Sequence, residues 1–173
     1  MKNKAIKNQI RAALFAAMIS VLSLIAIPSP SGIPFTLQTF AVALSGYFLG
    51  WKYGAEAVVI YLTAGAVGLP VFSMMTGGFG KILGVTGGFL IGFIPLVLLC
   101  GVKTSGIKKV IFSLLGIIVC HTVGVLWFST VSNTSLLNSA LTSSLPYIPK
   151  DILSVLAAYS VSSLIKIRIT DNV

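Results

Sequence analysis

Few side chains in this sequence can do acid–base, nucleophilic or ligand chemistry, and they lie far apart. The acids are Glu56, Asp151 and Asp171, the histidine is His121, and the thiols are Cys100 and Cys120. No two carboxylates stand at a spacing that would share general acid–base work. A serine or cysteine nucleophile would have to rely on His121 alone. Cys120 precedes it by one residue, about 100° round a helix, so the two do not face one another. The cysteines lack metal-ligand spacing and read as small buried hydrophobes. Neither a catalytic nor a metal site is expected. Gly80-Lys81 is followed by Ile82, and Met75 stands where a phosphate-cradling loop needs its first glycine, so ATP hydrolysis by that motif is excluded. Gly78-x-Gly80 lacks the βαβ surroundings of a dinucleotide site.

What remains is recognition. Asp151 accepts hydrogen bonds, Lys150 supplies a cation, and Gln38 both donates and accepts. Phe35, Phe72, Phe89 and Tyr147 can wall an apolar ring. A coupled carrier usually needs an ionisable group deep in the membrane. None of the acids is predicted there, which leaves His121, either as a proton relay or as a hydrogen-bonded packing histidine.

These residues must be positioned by apolar segments. Of the 173 residues, 56% are apolar and 9% charged, with mean hydropathy +1.02, far too little charge for a soluble domain. An all-α integral membrane bundle is predicted, one domain over residues 1–173. Its six spans fall at about 11–28, 36–50, 54–69, 83–101, 110–131 and 151–168. The basic start before Ala12 imitates a secretion signal, but no small-x-small cleavage site follows, so a retained first helix is predicted. The second span is short, about 22 Å against a ~30 Å hydrocarbon core. Trp51-Lys52-Tyr53 marks a water interface, and Glu56 is expected to pair with Lys52 at i−4. Residues 70–82 and 132–144 read as loops. Gly80, Gly84, Gly88 and Gly92 recur every four residues, predicting one bare helix face for close packing.

The net charge of +9 does not imply nucleic acid, because the cations sit at span ends rather than on a basic face with aromatics. With six spans, one side of the membrane holds Lys2, Lys4, Lys7, Arg11, Lys52, Lys103, Lys108, Lys109, Lys166 and Arg168. The other side holds Lys81 and Lys150. Positive loops stay cytoplasmic, so both termini are expected inside. The breaks at 28–37, 70–82 and 132–150 are then expected outside. Interrupted helices in a bilayer survive only around a cavity or within protein, so an outward-facing site is expected.

At these breaks the sequence resembles the BioY family, the biotin-specific substrate-binding (S) components of energy-coupling-factor (ECF) transporters. The resemblance covers nearly the whole chain. It is carried by Pro34-Phe35-Thr36-Leu37-Gln38-Thr39, Gly68-Leu69-Pro70-Val71-Phe72 and Leu83-Gly84-x-Thr86-Gly87-Gly88-Phe89-Leu90-Ile91-Gly92-Phe93. Gly124-Val125-Leu126-Trp127 and Pro146-Tyr147-x-Pro149-x-Asp151 complete it. It implies a six-helix bundle of S-component type that binds biotin from outside, with no cofactor, docked on a membrane scaffold subunit and powered by two cytoplasmic ATPases. The substrate-binding set it implies is Thr36, Gln38, Phe72, Ser73, Thr86, Phe89, Tyr147, Lys150, Asp151 and Ser154. Ser154 stands where the family commonly has a lysine, and Lys150 is a relocated cation that could serve the biotin carboxylate. Ala12-x-x-x-Ala16 and Ala13-x-x-x-Ala17 resemble the family's small-residue docking surface. The competing readings are an S component for another vitamin and a proton-coupled carrier dependent on His121. Asp151 either meets the ligand or merely caps the last helix.

Overall fold

The computed structural model describes the backbone of residues 2–170 and the side chains of residues 5–165. Asp171 and the side chains of Lys2, Lys4, Lys166 and Arg168 lie outside the described residues. The described chain is mostly helical, with one short ribbon and an isolated bridge between Phe72 and Thr76. In order it forms α1 (Lys2–Leu24), β1 (Ala26–Ile27), β2 (Phe35–Thr36), α2 (Gln38–Ala66), a 3₁₀ turn (Ser73–Met75), α3 (Phe79–Leu83), α4 (Gly87–Cys100), α5 (Gly106–Ser132), α6 (Leu136–Ser143) and α7 (Ile148–Thr170). Among the described residues, Ala5–Leu24, Gly106–Ser132 and Ile148–Ile165 are long and apolar enough to cross a membrane, and Gly87–Cys100 is a shorter apolar helix.

The second and third predicted spans are the two arms of α2. Gly50 breaks the helix at φ 74°, ψ 175°, a region that favours glycine. The arms then fold against each other: a Cβ on Gly54 would stand 3.1 Å from the Gly46 Cα, whereas eight residues of straight helix span about 12 Å. The Trp51 N–H freed by the break donates to the Gly101 carbonyl at 3.1 Å. Trp51-Lys52-Tyr53 is therefore the first turn of the second arm and not the connection itself. The expected Lys52–Glu56 ion pair does not form; the Lys52 ammonium lies over the Tyr53 ring at 5.6 Å. An i,i+4 pair is worth only a few tenths of a kcal/mol, too little to dictate the rotamer.

The fourth span begins at Gly87 rather than near residue 83, because Gly84 is extended (ψ −177°) and separates α3 from α4. Hydropathy cannot register that break, since Ile82, Leu83 and Val85 are all apolar. The four-residue glycine period is consequently not one helix face. Gly80 belongs to α3 and Gly84 to the link, while Gly88 and Gly92 let α5 approach. A Cβ there would stand 2.8 Å from the Val123 carbonyl and 2.9 Å from that of Cys120, respectively. Neither of the two stretches expected to be loops, 70–82 and 132–144, is a plain loop. Residues 70–82 hold the 3₁₀ turn and most of α3. The polar stretch 132–144 holds α6, whose first turn is capped by Ser135 accepting from the Asn138 N–H at 3.3 Å.

The α1–α2, α2–α4, α4–α5 and α2–α7 packings enclose one main core. Within it, the Tyr47 hydroxyl donates to Ser113 at 2.7 Å and ties α2 to α5. Ala12, Ala16 and Ile19 of α1 are buried in this core.

Candidate functional site

The ribbon β1–β2 pairs Ala26 with Thr36 and Ile27 with Phe35, and so anchors the chain just before α2. Opposite it, the Tyr147 hydroxyl donates to the Ile33 carbonyl and meets Ser31 Oγ at 2.6 Å. The Tyr147 ring stacks on Phe35, with centroids 4.4 Å apart. Phe35 thus braces Tyr147 and is not among the residues lining the cavity behind it. Two close approaches aim the other rings. A Cβ at Gly65 would fall inside the Phe72 ring and one at Gly124 inside the Phe89 ring, so only glycine admits them. Phe72 then meets Tyr61 edge-on at 5.4 Å, and Phe89 meets His121 at 5.7 Å.

Between these elements lies a partly open cavity, with about 670 Å³ of unfilled space when the solvent at its mouth is included. Of the ten residues expected to bind substrate, nine line it: Thr36, Gln38, Phe72, Ser73, Thr86, Phe89, Tyr147, Lys150 and Asp151. Ser154 is buried but does not line the cavity. Sequence reasoning missed Thr39, Lys81, Leu90, Phe93 and His121, which also line it. His121 could have been found from Gly124, which lies three residues on. Ile117, Cys120, His121, Gly124 and Phe128 repeat at helical spacing and are all buried.

The polar groups form a chain. Asp151 Oδ2 accepts from His121 Nε2 at 3.0 Å, and His121 Nδ1 meets Ser144 Oγ at 2.8 Å. On the other side Asp151 Oδ1 pairs closely with the Lys150 ammonium, which also donates to the Thr36 carbonyl at 3.1 Å. Because an ionised carboxylate only accepts, the Nε2 proton points at Asp151, and Nδ1 shares a hydrogen bond with the Ser144 hydroxyl. His121 is hydrogen-bonded on both ring nitrogens. Asp151 does not cap α7: the helix begins at Ile148, and the Asp151 N–H already bonds the Tyr147 carbonyl at 2.9 Å. Ser144, His121 and Asp151 stand in the order of a hydrolytic triad. Ser144, however, is buried and does not line the cavity, so substrate in that space does not reach its hydroxyl.

Capacity for a ligand remains. His121, Lys150 and Thr39 take three of about four lone-pair positions on Asp151, leaving room for a further N–H donor. Gln38 receives the Thr36 hydroxyl at 2.9 Å and gives one N–H to Tyr61 at 2.6 Å, which leaves its second N–H. Thr86 is buried with no partner for its hydroxyl. It occupies the position before α4 yet makes no side-chain cap bond. A buried hydroxyl left unbonded costs about 1–3 kcal/mol. In this cavity a ligand acceptor or donor would recover that loss.

The four alanines expected to dock a partner divide in two. Ala12 and Ala16 are 0% and 4% exposed against the chain's own core, so they are not available to another protein. Ala13 and Ala17, on the next face of α1, are exposed.

Comparison with known proteins agrees with this architecture. The profile of the BioY family matches residues 1–171. The biotin transporter BioY of Thermotoga maritima is 50% identical over 88 residues, 51% of this chain and 52% of that one. The biotin transporter BioY of Rhodobacter capsulatus is 36% identical over 159 residues, covering 82% of this chain and 84% of its own. Among solved structures, the S-component for biotin from an ECF-type ABC transporter superposes with a TM-score of 0.84 at 32% identity. That match covers 96% of this chain and 94% of the other.

Proposed function

The chain belongs to the BioY family, and from that premise we propose that it is the biotin-binding S component of an ECF-type importer. It is a transport subunit and not an enzyme. Biotin brings two ureido N–H donors, one carbonyl acceptor, an apolar sulfur-containing ring and a carboxylate tail. The cavity answers that inventory with the acceptor Asp151, the donors Thr86 and Gln38, and the walls Phe72, Phe89 and Tyr147. The observation that carries the reading is one space lined by Asp151, Gln38, these three rings and Thr86, whose hydroxyl is buried and unpartnered.

The two arms of α2, with α1, α4, α5 and α7, supply six spans. The loop charges favour both termini in the cytoplasm, which opens the cavity outward. The exposed Ala13–Ala17 face of α1 is the surface offered to a membrane scaffold subunit, because small residues permit close helix approach. Two cytoplasmic ABC ATPases bound to that scaffold supply the energy.

The test is uptake of labelled biotin by cells expressing the chain with a scaffold and ATPase module. Biotin accumulation that riboflavin and thiamine do not compete supports the reading. Accumulation of another vitamin instead would overturn it. A proton-coupled carrier is the second reading, favoured by the buried His121–Asp151 contact. In proteoliposomes it would acidify the lumen on biotin entry without ATP, whereas the S component would not.

A further inference from the structure

We propose that Lys81, and not Lys150, is the residue that selects a carboxylated ligand by pairing with the carboxylate tail. The inference rests on the biotin-binding reading and deepens it.

Two lysines line the cavity. The Lys150 ammonium is already committed: it pairs with Asp151 and donates to the Thr36 carbonyl at 3.1 Å. Moving it to a ligand would leave the Asp151 carboxylate, 11% exposed, with one partner fewer in a poorly solvated site, which is costly. Lys81 is different. Among the described residues no acid or hydrogen-bond acceptor holds its ammonium. The acids there are Glu56 and Asp151, and Asp151 is shared between His121 and Lys150.

Charge accounting gives the same answer. The Lys150–Asp151 pair is neutral, so Lys81 leaves the cavity lining with one uncompensated positive charge. A ligand carrying a single carboxylate neutralises it, and an uncharged analogue does not. Lys81 reaches the site from α3, which packs on α2 and α4, whereas Lys150 and Asp151 come from α7. The carboxylate and the ureido group are thereby assigned to different elements. Half-buried on a short helix, Lys81 can pair with the carboxylate while its stem covers apolar surface.

The experiment titrates detergent-purified wild-type, Lys81→Gln, Lys81→Arg and Lys150→Gln proteins with biotin and with uncharged biotinamide. A hydrogen-bonded ion contact is worth about ten- to a hundredfold in affinity. Lys81→Gln should lose that factor for biotin and bind biotinamide as the wild type does, which also certifies its fold. Lys81→Arg should keep the preference for the acid, and Lys150→Gln should weaken both ligands alike. A Lys81→Gln protein that still prefers biotin, or that loses biotinamide equally, would overturn the assignment. A wild type that binds neither ligand would overturn the biotin reading together with it, and is a distinct result.

Discussion

Replacing Thr86 by valine should raise the stability of the empty protein and weaken its ligand, a pairing of signs that few binding-site changes share. The hydroxyl is buried and unpartnered. Valine keeps the branched shape while removing a group whose unmet desolvation costs about 1–3 kcal/mol. A competing loss exists, since threonine ahead of a helix usually caps it and removal costs ~1 kcal/mol. That loss does not apply, because the Thr86 side chain makes no cap bond. The net gain of roughly 1 kcal/mol or more corresponds to about 2–4 °C per kcal/mol for a chain of this size. With biotin bound, the missing neutral hydrogen bond should reduce affinity about two- to tenfold. Thermal unfolding with and without saturating biotin, alongside equilibrium titration, reads both effects. A lower melting temperature in the empty protein with unchanged affinity would mean that the hydroxyl has a structural partner, and would refute the reasoning.

Asp151→Asn should weaken biotin at least about tenfold, because an amide offers one acceptor in place of a carboxylate. It should also lower stability, since the Lys150 ammonium loses its counter-charge. The penalty should stay below the ~3–5 kcal/mol of a fully buried pair, as the Lys150 side chain keeps 26% exposure. Wild-type affinity and melting temperature in this variant would exclude Asp151 from the site. On α1, Ala13→Trp should fold and bind biotin but fail to co-purify with the scaffold subunit. Ala16→Trp should itself be destabilised, overpacking a core position by about 1–3 kcal/mol or more. Wild-type co-purification of Ala13→Trp would remove that face from the docking surface.

The architecture was legible where composition changes sharply. The basic and aromatic cluster at residues 51–53 placed the second turn of the bundle within a residue or two of Gly50, because hydropathy falls there. The start of α4 was not legible. Ile82, Leu83 and Val85 continue the apolar run, and only the backbone conformation of Gly84 separates α3 from α4. Similarly, the Ser- and Asn-rich stretch around Ser135 reads as a loop by composition, although the same serine caps a two-turn helix. Most of the cavity lining was recoverable, since Pro, Gly, Gln and Thr interrupting apolar segments point to it directly. Lys81 and His121 were missed for different reasons. Lys81 lies in a connection whose helical turn is invisible to hydropathy. His121 was legible only through its helical spacing to Gly124, while its partners Ser144 and Asp151 lie far along the chain and meet it only in the fold. The alanine pairs illustrate a further limit. Small residues at i and i+4 announce close helix packing, but Ala12 and Ala16 spend it inside the bundle, and spacing alone does not distinguish the two faces.

Equilibrium titration of the detergent-purified protein with biotin, with riboflavin and thiamine as competitors, tests the central claim most directly. The account predicts saturable binding of one biotin per chain, undisturbed by an excess of either competitor. Saturable binding of riboflavin or thiamine with none of biotin would contradict it.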